Sequence, residues 1–427
     1  MANLEPADLS AVEAARRIAA GTLSAEALMR SCLERINQRE PQVQAFEHIA
    51  AREALVAAKA LDNGPSRGAL HGLPFAAKDT YDTFDMPTTC GSLIYAGNRP
   101  NCDAATVALA RDAGAILVGK AVTTEFAYVV PGKTRNPHDP TRAPGGSSSG
   151  SAALVGACMV PLALGSQTVG SAIRPAAFCG AAAFKPSFDL LPVNGMKGMA
   201  WSLDTVAVFG RTVADCALMV GALLGTDYLT AVEHVEPPQV VLCHTLNWPD
   251  AQPAVGIALD EARRRFTQAG AKVREIEVPS DFAALREALI VVLAFEMAKV
   301  FAPEVARHHH LLSSPFQEQL KKGQAITYGD YSRAQALTEA YRAQVGSLFG
   351  DEDVLVAPAS PGEAPVGHAY TGFPFFNGIC TMLGMPCVNM PGLTGPSRLP
   401  IGVQAIGRIG DDARTLAAAH WLALRLT

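Results

Sequence analysis

The sequence predicts an α/β fold: one large domain over 1–427, with a central mixed, mostly parallel twisted sheet covered by helices on both faces. Three observations predict it. Stretches with helical spacing of apolar residues alternate with short β-rich runs along most of the chain, the pattern of a sheet whose crossovers are helices. No Pro/Ser/Gly-rich linker divides the chain, and no repeat of 20–50 residues is present. The chain is 49% hydrophobic and 18% charged, which is enough apolar material for a core and too little charge for a disordered chain.

The elements follow in order. Residues 1–62 read as N-terminal helices. DLSAVEAARRIAAGTL has apolar positions at helical spacing and a stop at Gly21, Ser24 can cap AEALMRSCLERINQRE, and AREALVAAKAL (51–61) is a third helix. A core segment, 63–225, begins with LPFAAKDTYD (73–82), a short apolar run ending in charge that suits a buried strand. DAATVALARDAGAILVGKAVT (103–123) reads as a helix, a cap at Gly114 and the strand AILVG. After Ser147 the alternation recurs in SAALVGACMV, PLALGSQ and AAAFK. It returns in 260–278, in DVLVAPAS (353–360), and in CVNMPGL and IGVQAIG near the end. Residues 280–350 read as a helical excursion on the same domain.

Composition excludes several classes. A net charge of −5 supplies no basic stripe for nucleic acid or an anionic membrane. The nine cysteines are odd in number and form no C-x-x-C, so free thiols in a reducing cytoplasm are expected. MANLEPADLS lacks the basic and apolar regions of a signal peptide. The most apolar window, 288–301, is broken by Glu296 and Lys299 and is too short to span a bilayer. Adjacent histidines such as the run His308–His310 splay around a helix axis, and no carboxylate lies four residues on, so no metal and no cofactor are expected.

The chemistry concentrates in PGGSSSGS (144–151) and GSQTVGSAIRPAAFCG (165–180). A linker is the ordinary reading of Ser/Gly-rich sequence, but apolar helix-forming sequence follows at once. A phosphate cradle needs Lys after its last Gly, and none follows Gly150. Gly146-Ser147-Ser148-Ser149-Gly150 fits G-x-S-x-G, yet it follows a loop and not the strand that a nucleophile elbow requires. A Ser–Lys arrangement remains. No Ser is followed by Lys three residues on, so the lysine must come from elsewhere. Lys78 ends an apolar run, where burial would favour its neutral, basic form. The alternative is a surface Lys78 paired with Asp79.

Together HGLPFAAKD, APGGSSSGSAALV, GSQTVGSAIRPAAFCGAAAFKPS, LGMPCVNMPGL and LPIGVQAIG resemble the amidase signature family over nearly the whole chain, with wording similar to its short malonamidase members. The resemblance implies a Ser–cis-Ser–Lys triad. Ser171 would be the nucleophile, Ser147 the bridging serine behind a cis Gly146–Ser147 peptide, and Lys78 the base. Their separations of 69 and 24 residues agree with the family's. Backbone N–H groups of Thr168, Val169, Gly170 and Ser171 would form the oxyanion hole. Ser148, Ser149 and Ser151 would shape the turn and cap the following helix.

Three departures from the family pattern bear on specificity. Gln167 stands where much of the family has Asp, Val169 stands for Gly, and the Arg lies three residues after the nucleophile instead of two. The resemblance to malonamidases makes Arg174 a clamp for a substrate carboxylate, freed by the loss of the acid at 167; the alternative is an Arg that braces the sheet. A β-branched Val169 would resist positive φ. The expected activity is hydrolysis of a small carboxylate-bearing amide, malonamate-like, to acid and ammonia, by a cytoplasmic homodimer with no nucleic-acid or membrane partner. The same chemistry on an aryl or indole acetamide, or on a carboxylated biuret or urea derivative, is the alternative. An amidotransferase A-like subunit working in a complex is an alternative of another class.

Overall fold

The computed structural model describes residues 5–228, 232, 236–350 and 354–427. Among them, eleven strands form one sheet: β1 (Phe46–Ile49), β2 (Pro74–Lys78), β3 (Ile116–Ala121), β4 (Leu162–Gln167), β5 (Ala182–Lys185), β6 (Thr205–Gly210), β7 (Gln239–His244), β8 (Lys272–Glu277), β9 (Val354–Pro358), β10 (Cys387–Thr394) and β11 (Pro400–Ile406). Asp353, read as the start of β9, lies outside the described residues. The strand order is β1-β3-β2-β4-β6-β5-β10-β11-β9-β7-β8.

The sheet is mixed, as expected, but the parallel bias is confined to its flanks. β3-β2-β4 and β8-β7-β9 are parallel. The middle, from β4 through β6, β5, β10 and β11 to β9, is antiparallel. Parallel neighbours need long crossovers, whereas β10 and β11 are joined by a short turn that forces them antiparallel. The sequence reading missed β1, β6 and β7.

Both faces of the sheet are covered because its strands are apolar on both sides. Phe75, Ala77, Leu162 and Leu164 enter one core; Ala76 and Ala163, pointing the other way, enter the second. The first core is closed by α4 (Ala105–Asp112), α7 (Val213–Leu224), α8 (Pro253–Gln268) and α14 (Asp412–Ala423). The second is closed by α3 (Ala51–Asp62), α5 (Ser149–Gly156) and α6 (Ile173–Cys179). The first helices, α1 (Ala11–Ala19) and α2 (Ala25–Val43), start at Ser10 and Ser24, whose side chains accept the N–H of Glu13 and Ala27.

The stretch read as helical holds α9 (Ala284–Val300), α10 (Ala302–His308), α11 (Ser314–Ala325) and α12 (Tyr328–Gln344). Several contacts dock it on the core. Phe301 and Phe316 pack on Phe126, Glu125 accepts from the N–H and hydroxyl of Ser313, and Glu296 accepts from the N–H and hydroxyl of Ser202. A short helix, α13 (Gly378–Met382), follows near the C-terminus.

Candidate active site

Neighbouring strands bring the predicted residues together. β2 and β4 are parallel and in register at Ala77 and Leu164, so their C-terminal ends lie side by side, the edge at which α/β sheets place ligands. Lys78 ends β2 and is fully buried. Its Nζ lies 2.7 Å from Ser147 Oγ and 2.8 Å from Ser166 Oγ, both hydrogen bonds. Burial lowers its pKa to about 7, opposed by the charge of Asp204 and by Cys90. The alternative partner, Asp79, turns to the opposite side, as successive strand residues do. Asp79 pairs there with Lys120 at 3.1 Å.

Ser147 follows a cis Gly146–Ser147 peptide and is fully buried. Its loop is tied to the turn that carries Ser171, because Ser148 N donates to Ser171 O at 3.1 Å. Gly145 has φ +83°, and a Cβ there would lie 2.7 Å from Pro175 Cα, so the Gly pair permits the approach of loop to helix. The remaining serines are structural, though not as caps. Ser148 and Ser151 Oγ donate to Ser166 O and Leu164 O, and Ser149 Oγ donates to Val122 O. The N-cap position of α5, Ser148, makes no side-chain cap bond.

Ser171 lies between β4 and α6 and keeps 8% exposure. Among the described residues its Oγ makes no hydrogen bond, and the N–H groups of Thr168, Val169, Gly170 and Ser171 have no acceptor. The next two, of Ala172 and Ile173, are taken by Gln167 Oε1 at 3.0 Å each. Gln167 thus fastens the start of α6, while its Nε2 donates to Thr381 Oγ1 at 2.9 Å, which in turn donates to Val169 O. Val169 is not among the non-glycine residues with positive φ, so the turn accommodates its branched side chain.

Arg174 differs from the expected carboxylate clamp. It is 4% exposed; its terminal nitrogens donate to Gly372 O, Gly146 O and Thr371 Oγ1. Losing an acid at 167 did not free this Arg, because main-chain carbonyls of the facing loop and of the serine loop occupy it. Sequence reasoning also missed Ser166, Gln167 as a brace, Thr381 and Asp204. For Ser166, Gln167 and Asp204 the only signal was position at a strand end or beside one, where partner choice depends on register; Thr381, inside α13, carried none. Among the described residues no group of three or more His, Cys, Asp or Glu could hold a metal ion, and no helix is long and apolar enough to cross a membrane.

A buried lysine in contact with a serine hydroxyl, beside a turn of unbonded N–H groups on an α/β sheet, suits acyl transfer through a serine, and the family match makes the class enzymes acting on amide C–N bonds. The chain belongs to the amidase signature family; the family described as Amidase matches residues 27–416. It is 32% identical to the A subunit of glutamyl-tRNA(Gln) amidotransferase from Chloroflexus aurantiacus, over 97% of this chain and 96% of that one. Among solved structures it is similar to native peptide amidase from Stenotrophomonas maltophilia (26% identity, TM-score 0.84, 98% of this chain and 97% of that one). It is also similar to a chain from a vestigial protein complex bearing on the evolutionary origins of an s-triazine catabolic enzyme (28%, TM-score 0.88, 96% and 97%). These relatives correct two expectations. The likeness is to the family, not to its malonamidase members in particular. The homodimer acting on a small amide without other partners is overturned, since the curated relatives are named as subunits of a larger amidotransferase.

Proposed function

We propose that the protein is an amide-hydrolysing, ammonia-releasing chain of the amidotransferase A kind, working beside a protein partner. The observation that carries the chemistry is the contact of buried Lys78 with Ser147 Oγ at 2.7 Å, in a loop bonded to the turn of Ser171. Neutral Lys78 accepts the proton of Ser147 as Ser147 accepts that of Ser171. Ser171 Oγ attacks the amide carbon, and the oxygen's developing charge falls to the N–H groups of 168–171. The proton returns through Ser147 to the leaving nitrogen, ammonia departs, and water releases the acid from the ester. The partner reading is supported by the matched subunits, which align along nearly their whole length. A malonamate-type clamp is not favoured, because Arg174 is engaged by carbonyl oxygens.

The test is ammonia release from primary amides with and without a carboxylate, malonamate and glutamine among them, by the chain alone and by the complex purified with it. Ser171→Ala is expected to abolish release from every substrate. Turnover near wild type in that variant would remove Ser171 as nucleophile.

A further inference from the structure

The oxyanion turn begins one residue beyond β4, and Asp204 stands one residue before β6. β4 and β6 are antiparallel with Gln167 opposite Thr205, so Thr168 and Asp204 face each other at the next position out. Thr168 Oγ1 donates to Asp204 Oδ1 at 2.6 Å. The other oxygen, Oδ2, accepts the N–H groups of Met199 and Ala200 at 2.6 and 2.8 Å. Asp204 is 8% exposed and Thr168 2%. No ion pair neutralises this carboxylate among the described residues. A charge-assisted bond of this length from a buried carboxylate is among the stronger links a hydroxyl can make.

We propose that Asp204 is a positioning residue for the oxyanion turn, holding the N–H groups of 168–171 on the developing oxyanion through the Thr168 hydroxyl. The inference rests on the acyl-transfer reading above. Further contacts hold the rest of the same turn: Gln167 to Thr381, Thr381 to Val169 O, and Ser148 N–H to Ser171 O. Only the Asp204 contact carries a charge. The loop that supplies two donors to Asp204 is itself fastened to the helical excursion, since Ser202 donates to Glu296 of α9. The excursion therefore bears on the turn through Ser202, Asp204 and Thr168 in series.

Burial raises the pKa of Asp204, while the bonds from Thr168, Ala200 and Met199 and the charge of Lys78 favour its ionised form; that charge gives the proposal a second readout. Asp204 and Cys90 are the titratable groups acting on Lys78, Ser147 and Ser166 are its neutral partners, and Asp204 favours the protonated lysine. Removing the charge lets Lys78 lose its proton at lower pH, so the acid limb of a rate profile moves down.

The experiment follows the second-order rate at which an alkyl fluorophosphonate labels the full chain, across pH. Ser171 Oγ would bond phosphorus as fluoride leaves, with phosphoryl oxygen in the oxyanion site. Thr168→Val is expected to slow labelling by about 10- to 100-fold, less than or equal to the loss of one direct oxyanion donor, with the acid limb unmoved. Thr168→Ser is expected to recover to within about threefold of wild type, as the restored hydroxyl remakes the bond. Asp204→Asn is expected both to slow labelling and to shift the acid limb to lower pH. Thr168→Val labelling at the wild-type rate, or a slow variant that Thr168→Ser fails to restore, would overturn the proposal while Ser171→Ala remains unlabelled. Labelling that persists in Ser171→Ala would instead overturn the reading on which it rests.

Discussion

Replacing Lys78 by Met should make the protein more stable at neutral and acid pH while abolishing its activity. Lys78 is fully buried, and burial lowers its pKa from 10.5 to about 7. A gap of that size corresponds to about 5 kcal/mol of disfavoured protonation. The unfolded chain holds this proton up to the ordinary lysine value, whereas the folded one releases it above about 7. Between those limits the unfolded state binds more protons, so wild-type stability rises with pH by about 1.4 kcal/mol per pH unit from this group. Below the folded value the whole penalty weighs on the native state. Met fills similar volume without it, but leaves Ser147 and Ser166 each short of a hydrogen bond worth about 1 kcal/mol. The net expectation is a gain of about 2–3 kcal/mol at low pH, read as a rise of a few degrees in Tm, shrinking with pH and changing sign near the alkaline limit. Melting curves of both proteins over a pH series measure it. A Tm difference that stays constant with pH would refute the reasoning, since Lys78 and the Asp204 it acts on titrate differently in the two chains.

Two further substitutions test the surroundings of the turn. Gly170→Ala would put a Cβ 2.6 Å from both Asn377 Oδ1 and Pro374 O; neither can yield freely, so the turn shifts and ammonia release should fall by roughly 100-fold. An unaltered rate would show that this packing does not set the turn. Arg174→Lys removes a fork that bridges Gly372 O and Gly146 O, and should cost about 1–3 kcal/mol in chemical unfolding, with equal losses of kcat/KM on carboxylated and neutral amides. A loss confined to carboxylated amides would return Arg174 to substrate binding.

Much of the sheet was legible because its strands carry local signals. LPFAA, AILVG and PLALGSQ are short apolar runs bounded by turns, and β2, β3 and β4 each begin in one of them. The Ser24 cap was legible for the same reason: its bond closes within three residues. Thr205–Gly210 and Gln239–His244 were not legible, since nothing local separates a buried strand from a short apolar helix there. At the site, the residues could be nominated from the serine-rich wording and the apolar run before Lys78. Their second partners could not. Ser166 reaches Lys78 only because β2 and β4 are parallel and in register. Asp204 reaches Thr168 only because β4 meets β6 antiparallel. Arg174 shows the limit most sharply: spacing put a guanidinium three residues from Ser171, but whether it faces solvent or carbonyl oxygens is decided by Gly146 together with residues 371–372, the latter almost two hundred positions away.

Among the described residues the fold buries three lysines completely, Lys78, Lys120 and Lys185, and the contrast among them says why only one suits a proton-transfer role. Burial lowers the pKa of all three, so a depressed pKa does not select a base. Lys120 sits 3.1 Å from Asp79 and donates to Thr88 Oγ1 and Pro87 O. A carboxylate at that range holds the ammonium form, and the pair ties β3 to the loop after β2. Lys185 donates to Pro186 O, a carbonyl with no proton to give. Lys120 meets the Thr88 hydroxyl beside a carboxylate, whereas Lys78 contacts two hydroxyl groups, and the acid that acts on it, Asp204, does so by charge without an ion pair. A base needs both conditions at once: a neighbour that can hand over a proton, and no carboxylate close enough to keep the lysine protonated. The strand period supplies the second condition. By turning Asp79 to the far side, it leaves Lys78 with serines, and it spends the acid on Lys120, where a fixed charge pair is structural.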